Sequence, residues 1–135
     1  MPSFSSSRHI ALVTLVVDDY DRAKAFYCET LGFDCPSDEP LPDGKRWVLV
    51  TPKASGGTGL LLAKADDEQQ RQAIGKQTGG RVGFFLYTDD FASDFAQMEQ
   101  SGIRFLEEPR HEAYGSVAVF EDPYGNRWDL LQPKR

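Results

Sequence analysis

Few side chains in this sequence could do chemistry, and Asp129 stands first among them. It lies in a stretch, 126–132, where Trp128 and Leu130 alternate with Arg127, Asp129 and Leu131. That period-two pattern is the mark of a strand with two unlike faces. A carboxylate on a largely apolar strand face must be paired, hydrated or raised in pKa. In such a state it can hold a cationic or hydrogen-bonding ligand, or act as a base; the plainer readings are an ion pair with Arg127 or Arg46, or simple exposure. The chain has two histidines, His9 and His111. His111 falls with Glu112 and Tyr114 in the loop PRHEAYGS, as an acid or base near neutral pH or as part of an ordinary polar connection. Cys28 sits in a helical stretch far in sequence from both histidines, so spacing gives no Cys/His or Ser/His/Asp nucleophilic arrangement. Cys28 and Cys35 lack a C-x-x-C spacing and are too few for a disulfide framework, which leaves free, packed thiols. The Gly56-Gly57 and Gly79-Gly80 pairs have neither the strand-loop-helix setting nor the Lys of a phosphate-binding loop.

The elements that must position these groups come twice. Residues 15–33 read LVVDDYDRAKAFYCETLGF and residues 86–103 read LYTDDFASDFAQMEQSGI. Asp19 and Asp90 are 71 positions apart, Gly32 and Gly102 are 70 apart, and Pro52 and Pro123 are again 71 apart. So constant an offset over a whole supersecondary unit indicates a duplicated module. The first copy reads as a strand over 10–17 and a helix over 20–31, which Asp18 or Asp19 opens and Gly32 ends. A short strand over 33–35 follows, then PSDEPLPDGK, whose prolines and Asp-Gly pair leave little room for regular structure. Strands over 46–51 and 58–63, joined by the loop PKASGG, complete it. The second copy reads as a strand over 81–88, a helix over 91–101, and strands over 103–107, 116–121 and 126–132. Its last hairpin turns on Asp122-Pro123-Tyr124-Gly125. The class is therefore α+β, with two tandem βαβββ modules.

These boundaries give a flexible N-terminus over 1–8 and one domain over 9–132. Module one spans 9–64, a polar linker with a short weak helix spans 65–80, and module two spans 81–132. Each half, at about 60 residues, would bury too little apolar surface to stand alone, so the halves must cooperate. A net charge of −6 and a pI near 4.8, with Lys and Arg scattered, argue against a nucleic-acid partner. No stretch resembles a membrane span, and the start MPSFSSSRH lacks the apolar core of a secretory signal, so a cytoplasmic protein is expected. The acidic balance favours a cationic small ligand slightly, and it also serves solubility.

The repeated βαβββ unit, the Asp-aromatic helix entry followed by Phe26-Tyr27 and Leu31-Gly32-Phe33, and the closing Glu121-Asp122-Pro123-Tyr124-Gly125-Asn126 resemble the vicinal oxygen chelate superfamily over residues 9–132. That superfamily includes glyoxalase I, extradiol dioxygenases, fosfomycin-resistance proteins and bleomycin-resistance binding proteins. The resemblance implies a curled mixed sheet around a cup, helices outside, and a homodimer that completes the cup. Metal enzymes of this type carry ligands on the first and last strands of both modules, which map to about Leu12, Leu61, Gly83 and Asp129. Only Asp129 can bind a metal, and a register slip of one residue brings in no other donor at the first three positions. The resemblance therefore implies a member with no family-type metal and no cofactor. Strand alternation then turns Thr14, Phe85 and Tyr87 into the cup beside Asp129, with Trp47 either in the cup or in the core. The expected ligand-binding set is Asp129, Thr14, Trp47, Phe85, Tyr87, His111 and Tyr114. The expected function is binding of a small organic molecule in a metal-free cup. The alternatives are a lyase, isomerase or dioxygenase with Asp129 as base or metal anchor, and a scaffold whose cup is filled by Phe85 and Leu61.

Overall fold

The duplicated sequence folds into two sheets of one design. The structure is a computed structural model and describes residues 1–53 and 56–134. Module one contains β1 (Leu12–Val17), α1 (Tyr20–Lys24), a π-helical segment (Ala25–Thr30), β2 (Asp34–Pro40), β3 (Arg46–Thr51) and β4 (Gly59–Lys64). A short α2 (Glu68–Ala73) lies in the connection. Module two contains β5 (Val82–Tyr87), α3 (Phe91–Gln100), β6 (Arg104–Phe105), β7 (Arg110–Glu112), β8 (Gly115–Glu121) and β9 (Arg127–Pro133). The sheets run β1-β4-β3-β2 and β5-β9-β8-β6, with β7 also paired to β8. In both, the first and last strands of the module are parallel and the other pairs antiparallel. Among the described residues no helix is long and apolar enough to cross a membrane.

The second Asp of each Asp-Asp pair is the helix cap. Asp19 accepts from the Arg22 amide at 2.8 Å and Asp90 from the Ser93 amide at 3.3 Å, which satisfies amides that have no partner in the first turn. Three elements depart from the sequence expectation. The first helix is α-helical only to Lys24 and then widens into a π turn, closed by the Leu31 amide on the Phe26 carbonyl. β2 runs on through Pro36 to Pro40 instead of stopping at Cys35; it is an edge strand with a register shift between Asp34 and Ser37, a setting that tolerates residues without an amide donor. The stretch around His111 is not a loop but the short strand β7. The expected loop PKASGG includes Ala54 and Ser55, which lie outside the described residues.

One face of each sheet meets in a shared core. Leu15, Val17, Val48, Val50, Leu60 and Leu62 of the first sheet form a single cluster with Ala118, Phe120, Trp128 and Leu130 of the second. Trp128 is its centre, with Phe84 stacked at 4.6 Å and Phe120 at 5.8 Å from module two, and Tyr27 at 5.7 Å and Phe33 at 5.9 Å from module one. Tyr27 also donates from its hydroxyl to Asp122 Oδ2 at 2.7 Å and accepts from Trp128 Nε1 at 3.3 Å. Asp122, only 3% exposed, takes further bonds from the Tyr124 and Asn126 amides and from Asn126 Nδ2. A buried carboxylate is tolerable only when so satisfied. This network fastens the π segment of one module to the closing hairpin of the other.

Candidate functional site

The faces turned away from the core carry the candidate side chains. On the first sheet, register places Thr14, Leu61 and Leu49 in one row, with Trp47 on the same side because it precedes core-facing Val48. Trp47 is 40% exposed and so is not a core aromatic. On the second sheet, Phe85, Asp129 and Val119 form one row, and Tyr87, Leu131, Val117 and Arg110 form the next. Phe85 and Tyr87 are 61% and 66% exposed, so Phe85 is not packed away inside this single chain. Two large aromatic rings held open to water on one sheet face are an unusual use of apolar surface.

Asp129 lies at the middle of that face. Its Oδ1 is closed off from solvent and has no hydrogen-bond partner. Burial pushes the carboxyl pKa up, the Arg110 charge pulls it down, and Glu107 pushes it up by less than Arg110 lowers it. The counter-ions that the sequence offered are engaged elsewhere. Arg46 binds Asp38 and Asp21, and Arg127 donates to the Gly80 carbonyl at 3.3 Å.

Arg110 and Glu107 belong to this face and escaped the sequence reading, and Glu112, named there with His111 and Tyr114, joins them. Arg110 Nε donates to both carboxylate oxygens of Glu107, at 3.0 and 3.2 Å, and Nη1 reaches Glu112 at 3.4 Å and the Tyr114 hydroxyl at 3.5 Å. Glu107 also accepts the Val119 amide at 3.1 Å, so the guanidinium is pinned at the edge of β8 beside the residue that pairs with Asp129. The signal was the alternation Arg110, His111, Glu112 of a three-residue strand, too short to register as a period. The same alternation turns His111 the other way. His111 Nδ1 lies 2.8 Å from Ser116 Oγ, and Ser116 shares its side of β8 with core residues Ala118 and Phe120. The structure thus groups Asp129, Phe85, Tyr87 and Tyr114 with Arg110, sets Thr14 and Trp47 on the corresponding face of the other module, and places His111 on the opposite face from Asp129.

A divalent metal at the family's positions does not fit these residues. Leu12, Leu61 and Gly83 have no side-chain donor, and a Cβ at Gly83 would lie 2.6 Å from the Thr78 methyl. Asp129 would be the lone anion, with the Arg110 cation close by. Among the described residues no group of three or more His, Cys, Asp or Glu side chains converges. A cleft of about 890 Å³ between the modules is lined by Leu31, Phe33, Lys53, Leu86, Asp94 and Met98, and it reaches Tyr87 at the end of β5.

Comparison with known proteins agrees with this architecture. The family model described as "Glyoxalase/Bleomycin resistance protein/Dioxygenase superfamily" matches residues 9–130. An uncharacterized protein of Shewanella frigidimarina is 51% identical over 124 residues, covering 91% of this chain and 92% of the relative. Among solved structures, UcmS2 superposes with a TM-score of 0.81 at 30% identity, covering 93% of this chain and 98% of that one. TnmS3, an antibiotic binding protein from Streptomyces sp. CB03234, superposes with a TM-score of 0.77 at 34% identity, covering 98% of this chain and 100% of that one. With its duplicated βαβββ sheets and a match over nearly its whole length, this chain belongs to the glyoxalase/bleomycin resistance protein/dioxygenase superfamily.

Proposed function

We propose that this protein binds a small organic molecule, without a metal or other cofactor, against the open face of the second sheet. The observation that carries the reading is the exposure of Phe85 and Tyr87 on the same face as the unpartnered Asp129. Aromatic walls around a few placed polar groups are the usual make-up of a small-molecule site. The antibiotic-binding relative at 34% identity supports the same class of activity. In this proposal a second copy of the chain, in a cytoplasmic homodimer, brings its Thr14 and Trp47 face over the rings and closes the cup. Ligand, rather than the chain's own side chains, then covers the aromatic surface. Asp129 as a general base of a lyase or isomerase is the competing reading, and its raised pKa is the one feature in its favour.

A thermal-shift screen against a panel of antibiotics and other small organic molecules, cationic glycopeptides included, tests the proposal. A binder present at about 100 times its Kd adds ~2.7 kcal/mol of stability, a shift of several degrees. The gain must fall sharply in Phe85→Ala and Asp129→Ala. A panel in which nothing raises Tm, or a binder whose effect survives both substitutions, refutes this site. Sedimentation of the free protein tests the dimer, and elemental analysis after soaking with divalent metals tests the metal-free state.

A further inference from the structure

We infer that the bound molecule carries a neutral group with adjacent hydrogen-bond donor and acceptor, a carboxamide or urea, which bridges Asp129 and Arg110. The inference rests on the binding face proposed above and names the chemistry that this face selects. Asp129 and Arg110 flank one residue. Glu107 bonds both the Val119 amide and the Arg110 Nε, which holds the guanidinium at one edge of Val119, while Asp129 is the cross-strand partner of Val119 on the other side. Arg110 and Asp129 themselves stand on β7 and β9, one row apart with β8 between them, so it is the long Arg110 side chain, drawn to Glu107 beside Val119, that brings the guanidinium toward Asp129. Yet the two groups form no ion pair with each other, and the bonding capacity that each has left is complementary. Arg110 spends Nε and Nη1 on Glu107, Glu112 and Tyr114, so the two N–H bonds of Nη2 remain for a ligand. Among the described residues nothing hydrogen-bonds to the Asp129 carboxylate, and of its oxygens Oδ1 is shut off from solvent, so Oδ2 is the acceptor that a ligand meets.

The charges decide between ligand classes. A carboxylate ligand would gain Arg110 but confront Asp129, Glu107 and Glu112. An ammonium ligand would gain Asp129 but come up against the guanidinium, and having no acceptor it would leave the N–H bonds of Nη2 unanswered. A primary amide avoids both penalties: its carbonyl accepts from Nη2 and its N–H donates to Asp129, with Phe85 and Tyr87 beside it to cover an apolar or aromatic body. Arg110 is accordingly a specificity-determining residue rather than a scaffold charge.

Three probes that share one ring separate these possibilities: benzamide, benzylammonium and benzoate, titrated into the full-length protein while amide and side-chain resonances are followed by NMR. The expected result is that benzamide moves the signals of Phe85, Val119 and the Arg110 side chain and binds at least about fivefold tighter than either charged probe. Asp129→Ala should weaken benzamide and improve benzoate relative to it, and Arg110→Gln should do the same for benzylammonium. Asp129→Asn is the second variant in case the alanine variant does not fold; it keeps the shape, supplies its own donor and must lessen the discrimination against benzoate. If all three probes bind equally, if a charged probe binds tightest, or if the order is unchanged in the variants, the inference is overturned while the binding face stands. If no probe perturbs Phe85 or Val119, the binding face itself fails, and the inference with it.

Discussion

Replacing Tyr27 with Phe removes one oxygen and should cost more than its size suggests. That hydroxyl is the donor at 2.7 Å to Asp122 Oδ2 and the acceptor at 3.3 Å for Trp128 Nε1, in surroundings where Tyr27 is fully buried. Burial and the Asp122 carboxylate raise the Tyr27 pKa well above its ordinary value, so the hydroxyl is a proton donor at neutral pH. A hydrogen bond to a charged group is worth ~1.5–3 kcal/mol, and an indole N–H left without a partner adds ~1 kcal/mol or more. Asp122 keeps its bonds from Asn126 and Tyr124, which limits the loss. The expected total is ~3 kcal/mol, or about 10 °C in Tm for a chain of this length. Urea denaturation followed by tryptophan fluorescence gives the free energy, and a double-mutant cycle with Trp128→Phe gives the coupling. Because the bond joins the two modules, the loss should appear in one cooperative transition. A Tyr27→Phe variant within ~0.5 kcal/mol of the parent would refute the claim that this network ties the modules together.

Three other outcomes follow from contacts elsewhere in the molecule. The hydrogen bonds from Arg46 and Lys24 hold the Asp38 pKa down to about 2, so their stabilisation is present above the unfolded value of ~4 and is lost as pH falls toward 2. The difference in urea midpoint between the parent and Asp38→Asn should therefore be largest near pH 7 and vanish near pH 2. Gln77 caps the outer edge of β1, accepting from the Val16 amide at 2.6 Å and donating to the Thr14 carbonyl at 3.0 Å; Gln77→Ala should cost ~1 kcal/mol and speed hydrogen exchange at Val16 several-fold. The raised pKa of Asp129 has the opposite sign from that of Asp38: its ionised form burdens the fold above its folded pKa and is harmless below its unfolded one. Asp129→Asn should raise the urea midpoint at pH 7, and the gain should disappear toward pH ~4; a destabilised variant at pH 7 would mean that the carboxylate has a partner.

Most of the architecture was legible because both modules obey local rules. Strands β3, β5, β8 and β9 fall within a residue or so of where alternation put them, and the Asp-Asp corners mark both helix starts through real caps at Asp19 and Asp90. Local rules gave out where tertiary contacts decide. No propensity announces that the turn holding Tyr27 widens into a π helix. The prolines of β2 look like breakers until the strand is known to lie at an edge. β7 is three residues long and exists because β8 offers a partner, and that unseen pairing decides which way His111 and Arg110 point. The Asp129 face was accessible from parity alone, whereas its companions Glu107 and Arg110 come from a connection whose path no alternation fixes.

The two aspartates of the closing hairpin make the functional argument sharper. Asp122 and Asp129 are seven residues apart in the same module, and both lie where water is scarce. Around Asp122 the chain supplies two amides, an asparagine side chain and a phenol, so a buried carboxylate becomes a fastening between modules. At Asp129 the described residues supply no hydrogen bond to Oδ1, although Arg127 is two residues away and an Arg-Asp pair would have satisfied both. Instead Arg127 points to a backbone carbonyl, and Arg110 is bonded to Glu107. A sequence able to satisfy one buried carboxylate so fully leaves the buried oxygen of the other without a hydrogen bond at a cost in stability, and departures of that kind concentrate where a protein meets something other than itself.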